Sequence, residues 1–96
     1  MDRDQLLQFS TALRALADRY GARSLSVFGS VARGEAGPSS DVDLLVDFPS
    51  SPTFEQYMDL KLAIEDLLQR PVDLITRTGL RQELKSRIEA EALRVA

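Results

Sequence analysis

The chain has 96 residues, 44% of them apolar and 28% charged, with a net charge of −3, which predicts one small, soluble, globular domain spanning residues 1–96. Disordered, collagen-like and membrane-spanning classes are excluded by that balance, and broad nucleic-acid binding is disfavoured by the absence of a basic excess. There is no cysteine and no histidine, so disulfides, thiolate metal sites and Ser-His-Asp triads are ruled out, any acid–base chemistry must use carboxylates, hydroxyls, Lys or Arg, and a reducing, cytoplasmic setting is expected.

Residues 3–20 carry Leu6, Phe9, Leu13, Leu16 and Tyr20 at alternating offsets of three and four. This is one stripe of an amphipathic helix, with Asp2 and Asp4 suited to its start and Gly21 to the position past its end. Residues 24–28 predict a short strand with Leu25 and Val27 on one side, ended by Gly29. A brief helical turn over 30–33 is expected next, broken by Gly34 and Gly37-Pro38.

Residues 41–48 predict a second strand, with Val42, Leu44, Val46 and Phe48 on the buried face. Asp41, Asp43, Leu45 and Asp47 then line the other face. Asp is a poor strand former, and two carboxylates on one face stand roughly 6–7 Å apart. At that distance they repel by about 2–3 kcal/mol at an effective dielectric near 20, and by much less in open water. Either that face is wet and the pair is harmless, or it is a cleft that a cation fills. Asp47, further along, reads as surface.

Thr53 and Gln56 are spaced for a capping box at the head of a helix over 53–69. Its stripe is Tyr57, Leu60, Ile64 and Leu67, widened by Met58 and Leu68, and Pro71 stops it. Residues 72–75 predict a third strand. The strand–helix–strand order over 41–75 predicts a crossover unit with the second and third strands parallel. Val72 and Leu74 then join the buried set, and Asp73 falls on the same face as Asp41 and Asp43. Residues 80–92 show Leu80, Leu84 and Ile88 at helical spacing, a third stripe read as core. The tail 93–95 either prolongs that helix or adds an edge strand.

Chemistry converges on one place. Gly29-Ser30 lies at a strand-to-helix turn, where free backbone N–H groups can meet a phosphate closely. Asp41, Asp43 and Asp73 supply the hard oxygen donors that magnesium prefers and often shares with substrate phosphates. Arg33, one turn past Ser30, can contact a triphosphate. Separately, a Gly-Ser turn, an Asp-x-Asp pair and a lone Arg are each more often ordinary turn or surface features.

The combination is more specific. Gly29-Ser30, ten intervening residues, Asp41-x-Asp43 and a later Asp73 resemble the minimal nucleotidyltransferases of the DNA polymerase beta-like superfamily. The likeness extends through Ala32-Arg33-Gly34-Glu35-Ala36, Ser40-Asp41-Val42-Asp43-Leu44 and Pro71-Val72-Asp73-Leu74, and follows the order of elements along nearly the whole chain. It implies an α/β (α+β) nucleotidyltransferase fold, a small mixed sheet of three to four strands covered by about four helices. It further implies ATP bound through Gly29, Ser30, Arg33 and Ser40, and two-ion Mg2+ chemistry with Asp41 and Asp43 bridging the metals. Asp73 would ligate the metal holding the acceptor and help take its proton.

The family's small stand-alone members look like antitoxins paired with a HEPN-type ribonuclease toxin, so AMP transfer from ATP to a toxin tyrosine is the leading expectation. Two alternatives stand beside it. One is a module that neutralises a toxin by association alone, which the acidic balance would suit against a basic RNA-cleaving partner. The other is a catalytic subunit that relies on a separate chain to bind a small-molecule acceptor.

Overall fold

A computed structural model describes residues 1–37 and 40–96. Among them are four strands, β1 (Ser24–Phe28), β2 (Val42–Asp47), β3 (Val72–Thr76) and β4 (Leu93–Arg94). The helices are α1 (Arg3–Leu7), α2 (Ser10–Arg19), α3 (Gly29–Arg33), α4 (Phe54–Leu68) and α5 (Gln82–Glu91), with a 3-10 turn over Arg77–Gly79. The sheet order is β3-β2-β1-β4. β1 pairs antiparallel with β2 and β4, whereas β2 and β3 run parallel, as a strand–helix–strand crossover requires. None of the described helices is long and apolar enough to cross a membrane.

One face of the sheet is dry. Leu25 and Val27 of β1, Val42, Leu44 and Val46 of β2, and Val72 and Leu74 of β3 meet Leu6, Leu13 and Ala17 from the N-terminal helices and Leu60, Ile64 and Leu68 from α4 in a single cluster. The alternation of inward and outward side chains on β2 and β3 therefore follows the expected register. The α4 stripe is anchored by the anticipated capping box. Thr53 Oγ1 accepts from Gln56 N–H (3.0 Å), and Gln56 Oε1 accepts from Thr53 N–H (3.3 Å). Gln56 also donates to Tyr20 O (2.7 Å), tying the start of α4 to the end of α2.

Three expectations change and one open choice is resolved. The single helix over 3–20 is two, because the ladder tightens where Phe9 N–H donates to Leu6 O (3.0 Å) and resumes with Leu13 N–H to Phe9 O (2.8 Å). The apolar stripe runs unbroken across that step, so side-chain periodicity does not register it. β2 begins at Val42, which leaves Asp41 just ahead of the strand rather than in it. The tail resolves as an edge strand: Val27 pairs with Leu93 and Ser26 with Arg94, and beyond them Val95 N–H donates to Leu25 O (2.9 Å). Lastly, the Leu84 and Ile88 stripe is not core, since no residue of α5 is buried and Leu84 is 42% exposed.

The second face of the sheet is not simply wet. Leu45 is only 1% exposed, and Ser26 and Phe28 are also buried. The chain folds back after β3, so that the Arg77–Gly79 turn packs against β2 and α5 packs against α3.

Candidate active site

The carboxylates stand where strand register puts them. β2 and β3 are parallel neighbours, and Asp43 is directly paired with Asp73. Residues in register on adjacent strands share a face, so both carboxylates rise from the same side of the sheet. Asp41 precedes β2 by one residue and is exposed, and Asp73 is exposed on an edge strand. Asp43, on an interior strand, is half-buried.

Burial is the main cause that pushes the Asp43 carboxyl above its ordinary range, followed by repulsion from Asp73 and Asp41. Arg33 opposes the shift and Glu91 adds to it. Among the described residues no three acidic groups close on a single point. The donor set nonetheless suits a hard divalent cation, because it consists of carboxylate oxygens and the most buried one sits in a field of like charge.

Gly29 lies against this cluster. On the neighbouring strand Phe28 is paired with Asp43, so the chain leaves β1 beside the Asp43 carboxylate and turns into α3. Gly29 has φ +70°, and a Cβ there would overlap Asp43 Oδ2 and stand 3.0 Å from its Cγ. Glycine is thus required twice, for the left-handed backbone and for the close approach. α3 ends at Gly34, also left-handed at φ +75° but with open space around it.

The remaining candidates are drawn partly elsewhere. Ser30 is half-buried in the first turn of α3, and its carbonyl accepts from Glu35 N–H (2.8 Å). Arg33 is engaged by two carboxylates: its Nε donates to Glu35 Oε2 (3.2 Å), and its Nη1 lies 3.2 and 3.3 Å from the two oxygens of Glu91. The Ser40 hydroxyl, one residue ahead of Asp41, accepts from Gly37 N–H (2.9 Å). Asp47 faces Arg23 at 3.7 Å, away from the cluster along β2.

Two further groups escaped sequence reasoning. Glu91, on the last turn of α5, accepts from Gly29 N–H at 2.7 Å as well as pairing with Arg33. Tyr57, read as a stripe residue, donates its hydroxyl to Leu74 O, next to Asp73. Burial is the first cause of the raised Tyr57 hydroxyl, partly offset by Lys61. Neither contact has a local signal, since 62 residues separate Gly29 from Glu91 and 17 separate Tyr57 from Leu74.

This geometry has relatives. Protein adenylyltransferase MntA of Thermococcus cleftensis is 38% identical over 82 residues, covering 85% of this chain and 83% of its own. A solved structure provisionally described as a minimal nucleotidyltransferase superposes with a TM-score of 0.85 at 43% identity, over 97% of this chain and 95% of that one. The fold also matches, at 14% identity and a TM-score of 0.72, a chain of the complex between the tri-AMPylated Shewanella oneidensis HEPN toxin and its MNT antitoxin, over 95% of this chain and 71% of that one. The nucleotidyltransferase domain model aligns with residues 9–95, which span every strand and the Gly29, Asp43 and Asp73 cluster, and the chain belongs to that family of enzymes.

Proposed function

We propose that residues 1–96 form a single transfer domain that moves AMP from ATP to a tyrosine hydroxyl of a HEPN-type toxin, and so acts as the antitoxin of the pair. The observation that carries this reading is the pairing of Asp43 with Asp73 across parallel strands, with Gly29 pressed against the first of them. The relative named a protein adenylyltransferase supports the reaction class. The toxin complexes that contain the same fold support the kind of partner.

In this reaction the tyrosine oxygen bonds to the α-phosphorus of ATP, and the bond from that phosphorus to the departing pyrophosphate oxygen breaks. The Gly29–Ser30 turn would receive the phosphates through Ser30 and the close approach that a residue without a side chain allows, since Gly29 N–H is donated to Glu91. Asp41 and Asp43 would hold magnesium, which supplies charge neutralisation and an easier loss of the hydroxyl proton. A free tyrosine hydroxyl titrates near 10; Asp73, exposed beside Asp43, would help to accept that proton and pass it to solvent.

Incubation with ATP, Mg2+ and the HEPN partner is expected to add ~329 Da per transferred AMP, the mass of AMP less water. The Asp43→Asn protein should add none. A partner that gains no mass, with wild type and Asp43→Asn indistinguishable, overturns the transfer reading.

Neutralisation by association alone is a second reading. It is favoured by large apolar side chains left uncovered on α4, Phe54 at 78% and Leu62 at 54% exposed. If the toxin stays inhibited by the Asp41→Asn, Asp43→Asn double variant without nucleotide, association suffices.

A further inference from the structure

We propose that Glu91 is a positioning residue of the nucleotide site: through Gly29 N–H and Arg33 it fixes the Gly29–Ser30 turn against Asp43. The inference rests on the reading of that turn as the phosphate-binding element.

The Gly29 peptide is bounded on two sides. Its α-carbon faces the Asp43 carboxylate so closely that no side chain fits, and its N–H donates to Glu91 Oε1 at 2.7 Å. A left-handed residue in a tight turn has few contacts of its own to set the orientation of its peptide plane. A short bond to a carboxylate sets it, because charge-assisted bonds are both shorter and stronger than neutral ones. The same carboxylate reaches Arg33, four residues further along α3. Glu91 therefore grips both ends of a five-residue helix from a different element.

The hold is mutual. α5 buries no residue of its own, so apolar packing does little to place its last turn. The contacts available to do so are polar: Glu91 to Gly29 and Arg33, Glu89 to Arg77 (3.0 Å), and then β4 pairing with β1. The distance between the turn and the Asp43 carboxylate is the distance between the two parts of a nucleotide site, and misplacement on the order of 1 Å costs about a hundredfold in rate in well-oriented systems. Arg33, meanwhile, is a strut in this arrangement, since its Nε is given to Glu35 and its Nη1 to Glu91.

The test compares Glu91→Ala and Glu91→Gln with Glu89→Gln, which touches Arg77 on the same helix. Glutamine keeps an oxygen that can accept from Gly29, whereas alanine removes the acceptor. The first readout is exchange of the Gly29 amide hydrogen in protein free of metal and nucleotide. Alanine should accelerate exchange at least about tenfold, and glutamine should restore most of the protection.

The second readout is binding of AMP-PNP with Mg2+ by calorimetry. Glu91→Ala should weaken it about tenfold, Glu91→Gln by about threefold or less, and Glu89→Gln not measurably. Unchanged Gly29 exchange in Glu91→Ala, or faster exchange with unaltered AMP-PNP affinity, overturns the positioning role and leaves the nucleotide reading intact. If wild type binds no AMP-PNP, the nucleotide reading falls and the positioning role with it.

Discussion

The two faces of the sheet are held by different physics. On the α2 and α4 side, Leu13, Leu60, Ile64 and the inward residues of three strands exclude water entirely. On the other side, α5 is fixed by polar contacts: Arg77 with Glu89, Glu91 with Arg33, and Glu91 with Gly29. The first face carries the stability and tolerates no voids. The second has a weaker hold, and it holds the groups that chemistry needs. A site built from like charges costs folding energy, and the apolar face opposite supplies the surplus that offsets it.

The largest effect expected on the polar face is on catalysis. Asp43→Asn should lower AMP transfer by at least about a thousandfold, the scale of several kcal/mol of lost transition-state stabilisation, measured by mass spectrometry of the acceptor. On the apolar face the largest effect is on stability. Leu60→Ala should cost about 2–5 kcal/mol in urea unfolding, whereas Leu84→Ala on α5 should stay within about 0.5 kcal/mol. Equal losses at the two positions would erase the contrast between the faces.

Two glycines sharpen it further. Gly34→Ala should cost about 1 kcal/mol, the price of a left-handed alanine in open space. Gly29→Ala should cost clearly more, because its Cβ also meets the Asp43 carboxylate. Combining Gly29→Ala with Asp43→Ala should bring the cost back toward that of Gly34→Ala, measured as a double-mutant cycle.

The smallest effect is a pH dependence. Asp43 titrates above its ordinary range in the folded chain, so its proton is taken up more readily by the folded state than by the unfolded one. Stability from this group therefore falls as pH rises from the ordinary value of 3.8 through the raised one. Glu65 slopes the other way: Val72 N–H (2.8 Å) and Lys61 hold its carboxyl low, so its contribution is present above 4.5 and is lost on acidification. At neutral pH and without metal, Asp43→Asn should raise Tm slightly, by less than the Leu60→Ala variant lowers it. A fall in Tm would mean that Asp43 makes a structural bond instead.

Local pattern made the apolar face legible. The stripes on α2 and α4, the Thr53–Gln56 box and the alternation on β2 and β3 each follow from repeat distances along one segment. That Asp43 and Asp73 share a side was legible for the same reason, because a parallel crossover and a buried set of valines and leucines fix the faces, whereas their direct pairing came from the register of the folded sheet. The Phe9 step was hidden because the stripe passes straight through it.

The α5 side resisted for a different reason. Leu84 and Ile88 have helical spacing, but spacing does not say whether anything lies opposite. Glu91 reads as one more charge on a polar helix until the fold brings it to Gly29. The short strand at Leu93–Arg94 depends on β1 offering a free edge, which no property of those two residues reveals.

Sheet order has one more consequence. Asp73 stands on the outermost strand, and Asp43 on the next one in. On the transfer reading, an incoming hydroxyl need only reach the rim of the molecule, while the nucleotide lies toward its middle. A bulky acceptor can therefore be served from outside, without a lobe to enclose it, and its own surface would complete the walls.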